Sequence, residues 1–432
     1  MNAGRDLDRQ AAGPPEPFFD SRWVERPEHV RELGPDAGLP RGFRAAGVAC
    51  GIKPSGSHDL GLLICDAQDA TSAARFTASG TPAAPVLLTG GRCALERLRG
   101  VLANAGCANA ATGGHGLDDA AKTQGAAALA LGLPAEQVAL GSTGAIGPNL
   151  PVKEMLNGIL DARGQLRRDG DGDFQKAIQT TDAFEKRANL QVSLPSGDVL
   201  LSAQCKGAGM ISPSFATMLC FVQTDAALPA ETADLLLGVC VKRSFDRCSV
   251  DGQLSTNDTA ILIASGASGV RVEPESEDEM RFGAALDALL RQLGILMVRD
   301  GEGARRIGRV VVAGGVQQSV EAVARAVANS PLVKTALHGC DTNFGRIVQA
   351  AGAALGGWGP GKGPLPLDVS VEGTLVCCGG AAVDYDEKAI AEAVARSEVE
   401  YEIGLPGDGA ETEVFFSDLG HEYVTVNAEY TT

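Results

Sequence analysis

An α/β fold in more than one compact part is predicted by three observations. Short apolar runs of strand length, such as Gly61-Leu-Leu-Ile-Cys65 and Arg309-Val-Val-Val-Ala313, alternate with alanine-rich segments of helical period. Glycine occurs 55 times with no period and only 4% of residues are aromatic, which suits closely packed layers joined by tight turns and excludes collagen and coiled coil. The 432 residues exceed one ordinary core, and a hydrophobic content of 44% is ample for two.

Taken in order, residues 1–38 carry Pro14, Pro15, Pro17, Pro27 and Pro35 among many charges and read as an extended or partly ordered N-terminal arm. Residues 39–300 follow as the main α/β core. In it, strand-length runs such as 61–65 alternate with helical ones such as Ala120 to Leu131, and Arg163 to Asp173 is a polar, Gly- and Asp-rich loop. Thr217-Met-Leu-Cys-Phe-Val222 reads as the start of a buried strand. Between Glu277 and Val298, Phe282, Leu286, Leu289, Leu293 and Leu296 recur at helical spacing and mark a core helix. Residues 301–432 make a smaller C-terminal domain, with helices over Ser319 to Ala328 and Glu387 to Ser397 and strands near Leu367 to Val371 and Glu413 to Phe416.

Composition narrows the function classes. A net charge of −17 repels nucleic acid and anionic membrane alike. No run of about 18 apolar residues occurs, and Met-Asn-Ala-Gly-Arg-Asp at the start lacks a hydrophobic signal core, so a cytoplasmic setting is expected. The 11 cysteines contain no C-x-x-C pair and read as buried reduced thiols, while the five histidines show no ligand spacing, so no metal site is expected.

The chemistry centres on Lys206-Gly-Ala-Gly-Met-Ile-Ser-Pro-Ser-Phe-Ala-Thr-Met-Leu219. A threonine hydroxyl is a weak nucleophile until a base takes its proton. The residue's own α-amino group, freed by cutting the Ala216-Thr217 bond, has a reference pKa of roughly 7.7 to 8.0 and suits that task. The small residues Gly207, Ala208, Gly209 and Ala216 allow the close backbone approach that self-attack needs. Acyl transfer also needs donors for a developing oxyanion, and Gly141-Ser-Thr-Gly-Ala-Ile-Gly147 is a glycine-flanked turn that lacks the phosphate-loop pattern. An amino-acid substrate asks for a cation and an anion near the nucleophile, with Lys206 and Glu302 as the leading pair.

Seven stretches in order resemble the ornithine acetyltransferase (ArgJ) family, covering nearly everything after residue 38. They are Leu39 to Lys53, Gly141 to Gly147, Lys206 to Leu219, Ser255-Thr-Asn-Asp258, Arg299-Asp-Gly-Glu-Gly-Ala304, Asp341-Thr-Asn-Phe-Gly-Arg-Ile347 and Asn427-Ala-Glu-Tyr-Thr-Thr432. The resemblance implies a four-layer α/β/β/α core of self-processing N-terminal-nucleophile type, cut between 216 and 217 into halves that stay together as two of each. It implies Thr217 as nucleophile, Thr143 and Gly144 as the oxyanion pair, and Lys206, Thr217, Glu302, Asn427 and Thr432 as substrate contacts. Thr181, with Thr180 as the alternative, is the further threonine contact. The implied reaction moves acetyl from N-acetylglutamate to ornithine by a ping-pong route without a cofactor, and some members also accept acetyl-CoA. Ser255–Asp258 and Asp341–Arg346 are read as supporting or architectural.

The chain departs from the family pattern at Thr77-Ala-Ser-Gly-Thr81 and Asn104-Ala-Gly-Cys-Ala-Asn-Ala-Ala-Thr-Gly113, where polar groups near the expected pocket are replaced. Smaller departures are Ser214-Phe215, Thr342 and Phe344. A relative with another acyl donor or amine acceptor, a hydrolase using the same Thr217 ester, and an uncut binding module are the alternatives. Acetate release without ornithine marks the hydrolase, and an intact 216–217 bond marks the binding module.

Overall fold

The computed structural model describes residues 17–212, 218–356, 363 and 365–429. Two sheets lie face to face. The first has six strands in the order Val30–Leu33, Lys186–Leu194, Gly197–Lys206, Leu219–Thr224, Thr259–Ala264 and Thr71–Phe76. The second has four, in the order Phe43–Val48, Leu60–Cys65, Gly100–Cys107 and Val138–Ala145. Each sheet contains one parallel pair, Leu219–Thr224 with Thr259–Ala264 and Gly100–Cys107 with Val138–Ala145, and is otherwise antiparallel.

Side chains alternate across a strand, and the packing follows that period. Leu63, Val101, Ala103 and Ala139 of the second sheet meet Leu219, Phe221, Ile261 and Ile263 of the first in one buried seam. Their neighbours point the other way. Leu62, Leu102, Val138 and Leu140 pack under helices Ala84–Arg92, Gly113–Leu131 and Val152–Gly164. Val192, Leu201, Val222 and Leu262 pack under Ala230–Arg243 and Glu277–Arg299. The result is the expected α/β/β/α order of layers. Burial on both faces explains why these strands read as continuous apolar runs and not as alternation. The short helix Asp171–Ile178 wedges into the seam, with Phe174 edge-on to Phe221 at 5.4 Å.

The long helix Glu277–Arg299 forms where its spacing predicts. Ser276 caps it by accepting from the Glu279 N–H at 3.1 Å, Glu277, Asp278 and Glu279 fill its first turn, and Arg299 ends it, all in accord with the helix dipole. It delivers the chain to Asp300 and Glu302. Beyond it, a seven-stranded mixed sheet runs Cys248–Ser249, Glu411–Ser417, Ile307–Ala313, Glu398–Gly404, Asp368–Val371, Thr374–Cys378 and Ala381–Ala382. Helices Gln317–Ala328, Pro331–His338, Phe344–Ala354 and Glu387–Val394 close a second core with it.

Several local features differ from the sequence expectation. Residues 163–173 are not one loop, because Val152–Gly164 continues into them and Asp171–Ile178 takes the last three. Pro331–His338 and Phe344–Ala354 are helices too short to impose a visible period, and Phe344–Ala354 has three buried residues, Ile347, Ala350 and Ala351. Within the N-terminal stretch, Val30–Leu33 pairs antiparallel with Asn189–Val192, and Phe18, Val24 and Val30 are buried in the main core.

Candidate functional site

At one end of the sheet sandwich, strands Gly100–Cys107, Val138–Ala145 and Gly197–Lys206 finish where Leu219–Thr224 and Thr259–Ala264 begin. The register sets Lys206 opposite Leu219 and Thr259 beside it. Loops and the helix His421–Glu429 close around these strand ends to leave a cavity of about 220 Å³. Its wall includes Thr143, Gly144, Thr180, Thr181, Lys206, Glu302 and Asn427, brought from five separate parts of the chain. Ala216, Thr217 and Thr432 lie outside the described residues.

The Thr143-Gly144 turn is shaped by backbone contact. A register shift in the parallel pair faces Gly106 and Cys107 against Thr143 to Ala145. Gly144 has φ of 125°, and a Cβ there would stand 2.4 Å from the Gly106 carbonyl carbon, so only glycine fits. Lys206 is buried at the end of its strand, and its Nζ donates to Thr143 Oγ1 at 3.1 Å.

Opposite them, the Glu302 N–H donates to the Ala208 carbonyl at 2.9 Å, which ties the loop after the long helix to the strand end. Gly303 has φ of 75°, and a Cβ on it would lie 2.5 Å from the Tyr423 nitrogen. That absence of a side chain lets helix His421–Glu429 approach, so that Asn427 Nδ2 donates to Glu302 Oε2 at 2.7 Å. An ammonium on one wall and a carboxylate with its amide on the other frame a small zwitterion.

The entry to strand Leu219–Thr224 is held from both sides. The Met218 N–H donates to Asp258 Oδ1 at 3.1 Å, and the Met218 carbonyl accepts from the Thr259 N–H at 3.0 Å. Asp258 belongs to the Ser255–Asp258 stretch. There Ser255, Thr256 and Asn257 line the cavity and Asn257 Nδ2 donates to the Ala108 carbonyl at 2.7 Å. Residues 341–346 do not line it; Arg346 Nη1 instead donates to the Leu332 carbonyl at 2.7 Å. At the departures, Thr77 Oγ1 donates to the Ser255 carbonyl at 2.6 Å, and Asn104 accepts from Ser142 Oγ at 2.6 Å. Asp251 and Tyr423 also line the cavity and have no counterpart in the sequence reading. Both sit outside the motif stretches, and nothing in their local pattern marks them.

The charges around the floor are strongly perturbed. Burial pushes the Lys206 ammonium down, the Asp182 carboxylate opposes that, and Lys186 adds to it. Burial takes Lys53 down to about 8 against the pull of Asp59 and Asp182. Asp300 is raised by burial to about 6, with Lys186 opposing, and burial also drives Asp258 well above the carboxylate range. Tyr423 is pushed up to about 12 by burial and then by Asp251 and Glu302. Of these groups Lys206 and Tyr423 line the cavity itself, and shifted groups facing a cleft are a feature that functional sites share. Among the described residues there is no cluster of three or more His, Cys, Asp or Glu that could hold a metal ion, and no helix long and apolar enough to cross a membrane.

Comparison with known proteins gives one consistent answer. Residues 44–432 match the family described as the ArgJ family. The chain is 39% identical over 394 residues to the arginine biosynthesis bifunctional protein ArgJ of Nitratidesulfovibrio vulgaris, covering 90% of this chain and 98% of that protein. It is 38% identical over 397 residues to the protein of the same name in Symbiobacterium thermophilum, covering 91% and 98%. Among solved structures, the ornithine acetyltransferase of Mycobacterium tuberculosis, complexed with ornithine, is 36% identical with a TM-score of 0.40, covering 44% of this chain and 100% of that one.

Proposed function

Because this chain belongs to the ArgJ family, we propose that it moves an acetyl group from N-acetylglutamate to ornithine in arginine biosynthesis, through an ester on Thr217. The observation that carries the reading is the convergence of Thr143, Gly144, Lys206, Glu302 and Asn427 on one cavity. That cavity lies at the start of the strand that follows Thr217 and Met218 directly in the chain.

The chain first cuts itself. The Thr217 hydroxyl attacks the Ala216 carbonyl and the Ala216–Thr217 C–N bond breaks as the hydroxyl proton passes to the departing nitrogen, which frees the Thr217 α-amino group; water then hydrolyses the resulting ester, leaving the Ala216 carboxylate and the free Thr217 hydroxyl. In the first half-reaction that amine takes the hydroxyl proton as Thr217 attacks the acetyl carbonyl. Thr143 and Gly144 stabilise the oxyanion, and glutamate departs with the proton. In the second, the α-amine of ornithine attacks the ester and N-acetylornithine leaves. Lys206 takes the carboxylate of donor and acceptor in turn, which explains how one pocket serves both. Glu302, steadied by Asn427, takes an ammonium of ornithine. Thr180 and Thr181 both line the wall, and Thr432, outside the described residues, joins the substrate contacts by family resemblance.

The reading also divides the chain into a core over 39–300 and a smaller domain over 301–432, preceded by the arm 1–38. The two cleaved halves remain together as two of each in the cytoplasm. The test is denaturing mass spectrometry before and after brief incubation with N-acetylglutamate. Two fragments split at Ala216-Thr217, the second gaining one acetyl group, are expected, with Thr217→Ala giving one uncut and inactive chain. A cut, active Thr217→Ala protein overturns the mechanism.

A further inference from the structure

Beneath the cavity floor lies a group of charges that the proposed reaction leaves without a task. Lys186 is fully buried, and its Nζ donates to Asp182 Oδ1 at 2.7 Å and to Asp300 Oδ2 at 2.5 Å. Both carboxylates also accept from backbone next to residues of the cavity wall. Asp182 takes the Gly207 N–H at 2.8 Å and the Thr180 N–H at 3.0 Å, while Asp300 takes the Ala183 N–H at 3.0 Å. Three strips far apart in sequence, 180–183, 206–207 and 300–302, are thereby fastened to one ammonium.

Charge counting gives this cluster a second consequence. Asp182 and Asp300 stand against Lys186 and Lys206, two negative charges for two positive. Burying a cation without a countercharge drives it to lose its proton. Lys206 faces Asp182 and Glu302 as attracting groups, Lys186 and Lys53 as repelling ones, the Cys205 thiol beside it, and Asp258, whose carboxyl burial drives well above the usual carboxylate range. Glu302 is engaged by Asn427 on the far wall, whereas Asp182 bonds the backbone of the very next residue, Gly207.

We propose that Asp182 is a positioning residue for the acetyl transfer, acting through Lys206. It supplies the countercharge of the Lys206 ammonium and clamps Gly207 beside it, while Lys186 and Asp300 hold Asp182 in place. The proposal rests on the reading of Lys206 as the carboxylate contact. Burial alone would raise the Asp182 carboxyl, but Lys186 and Lys206 hold it well below the usual range, so it carries its charge throughout the working pH.

The signs are separable by substitution. Asp182→Asn keeps an oxygen for the Gly207 N–H and removes the charge, so Lys206 loses its proton at lower pH. Lys186→Gln removes the repelling neighbour, so Lys206 keeps its proton to higher pH. The experiment is the pH profile of kcat/KM for N-acetylglutamate, whose own carboxylates do not titrate above neutrality, on full-length variants shown by mass spectrometry to be cut at 216–217. The expected alkaline limb moves down by at least one pH unit in Asp182→Asn, a tenfold change at fixed pH. It moves up in Lys186→Gln and returns toward the wild-type position in Asp182→Glu. In Asp182→Asn the loss is expected in KM, with saturated kcat within about threefold. Coincident limbs in both variants overturn the proposal, as does a shift of the same sign in both, which is the mark of a merely structural cluster. Should Asp182→Asn fail to fold or cut, the upward limb of Lys186→Gln decides by itself. A wild-type protein that is cut yet transfers no acetyl defeats the proposed function instead.

Discussion

Replacing Gly209 by alanine tests the site without touching any residue assigned to chemistry. Built on the observed backbone, the new Cβ would stand 2.6 Å from the Glu302 carboxyl carbon and 2.7 and 2.8 Å from its oxygens. Carbon atoms rest at about 3.5 to 4.0 Å, so the carboxylate has to move by about 1 Å. What the methyl meets is the end of a flexible side chain and not backbone. The fold therefore yields at about 0.5–1.5 kcal/mol, the cost of an off-rotamer side chain, and the melting temperature falls by only a few degrees. The site is less forgiving. Asn427 Nδ2 now lies 2.7 Å from Glu302 Oε2, and a 1 Å displacement of the carboxylate breaks that bond. A hydrogen bond to a charged group is worth about 1.5–3 kcal/mol, or roughly 10- to 150-fold, and misplacement of a binding group by 1 Å costs about 100-fold. The assay follows the acetyl mass on the 217–432 fragment and then its discharge to ornithine. Gly209→Ala is expected to form the acetyl-enzyme within several-fold of wild type and to transfer it to ornithine about 10- to 100-fold more slowly. Transfer at the wild-type rate, or a melting loss above about 10 °C, refutes the reasoning.

Other substitutions probe the same construction from different sides. Gly144→Ala forces a methyl into the Gly106 and Cys107 backbone, with contacts of 2.4 to 2.7 Å at a φ of 125°. Because backbone cannot swing aside, it is expected to cost about 2–4 kcal/mol in urea unfolding and to abolish acetyl-enzyme formation, and a stable, active variant would contradict the shape given to this turn. Lys334, in the C-terminal core, is 3% exposed, and burial takes its ammonium down to about 7 against the pull of Asp418 and Asp251. Its folded pKa lies below the unfolded value of about 10.4, so the unfolded chain holds the extra proton and stability rises with pH from about 7 toward 10. Lys334→Met should flatten that rise by about 2–3 kcal/mol between pH 7 and 9 in urea unfolding, and parallel slopes for both proteins count against it.

Burial is legible in this chain wherever it imposes a local period. Glu277–Arg299 is legible because one helix face meets the core at every turn, and Leu219–Thr224 because both faces of its strand are covered. The family resemblance grouped Thr143, Gly144, Lys206, Glu302 and Asn427 as one site, but nothing in the motif stretches themselves shows the contacts that bring them onto one cavity. Pairing between distant segments, by contrast, leaves no local trace. Lys186 meets Asp300 across 114 residues, Asn427 meets Glu302 across 125, and Val30–Leu33 finds its partner strand only once Lys186–Leu194 has an open edge. A lone lysine four residues after an aspartate reads as surface in any sequence. It becomes a buried ion bridge only because the pairing of Lys186 with Cys205, the loop carrying Asp182 and the end of helix Glu277–Arg299 at Asp300 meet next to Lys206, where each charge has to be answered by another.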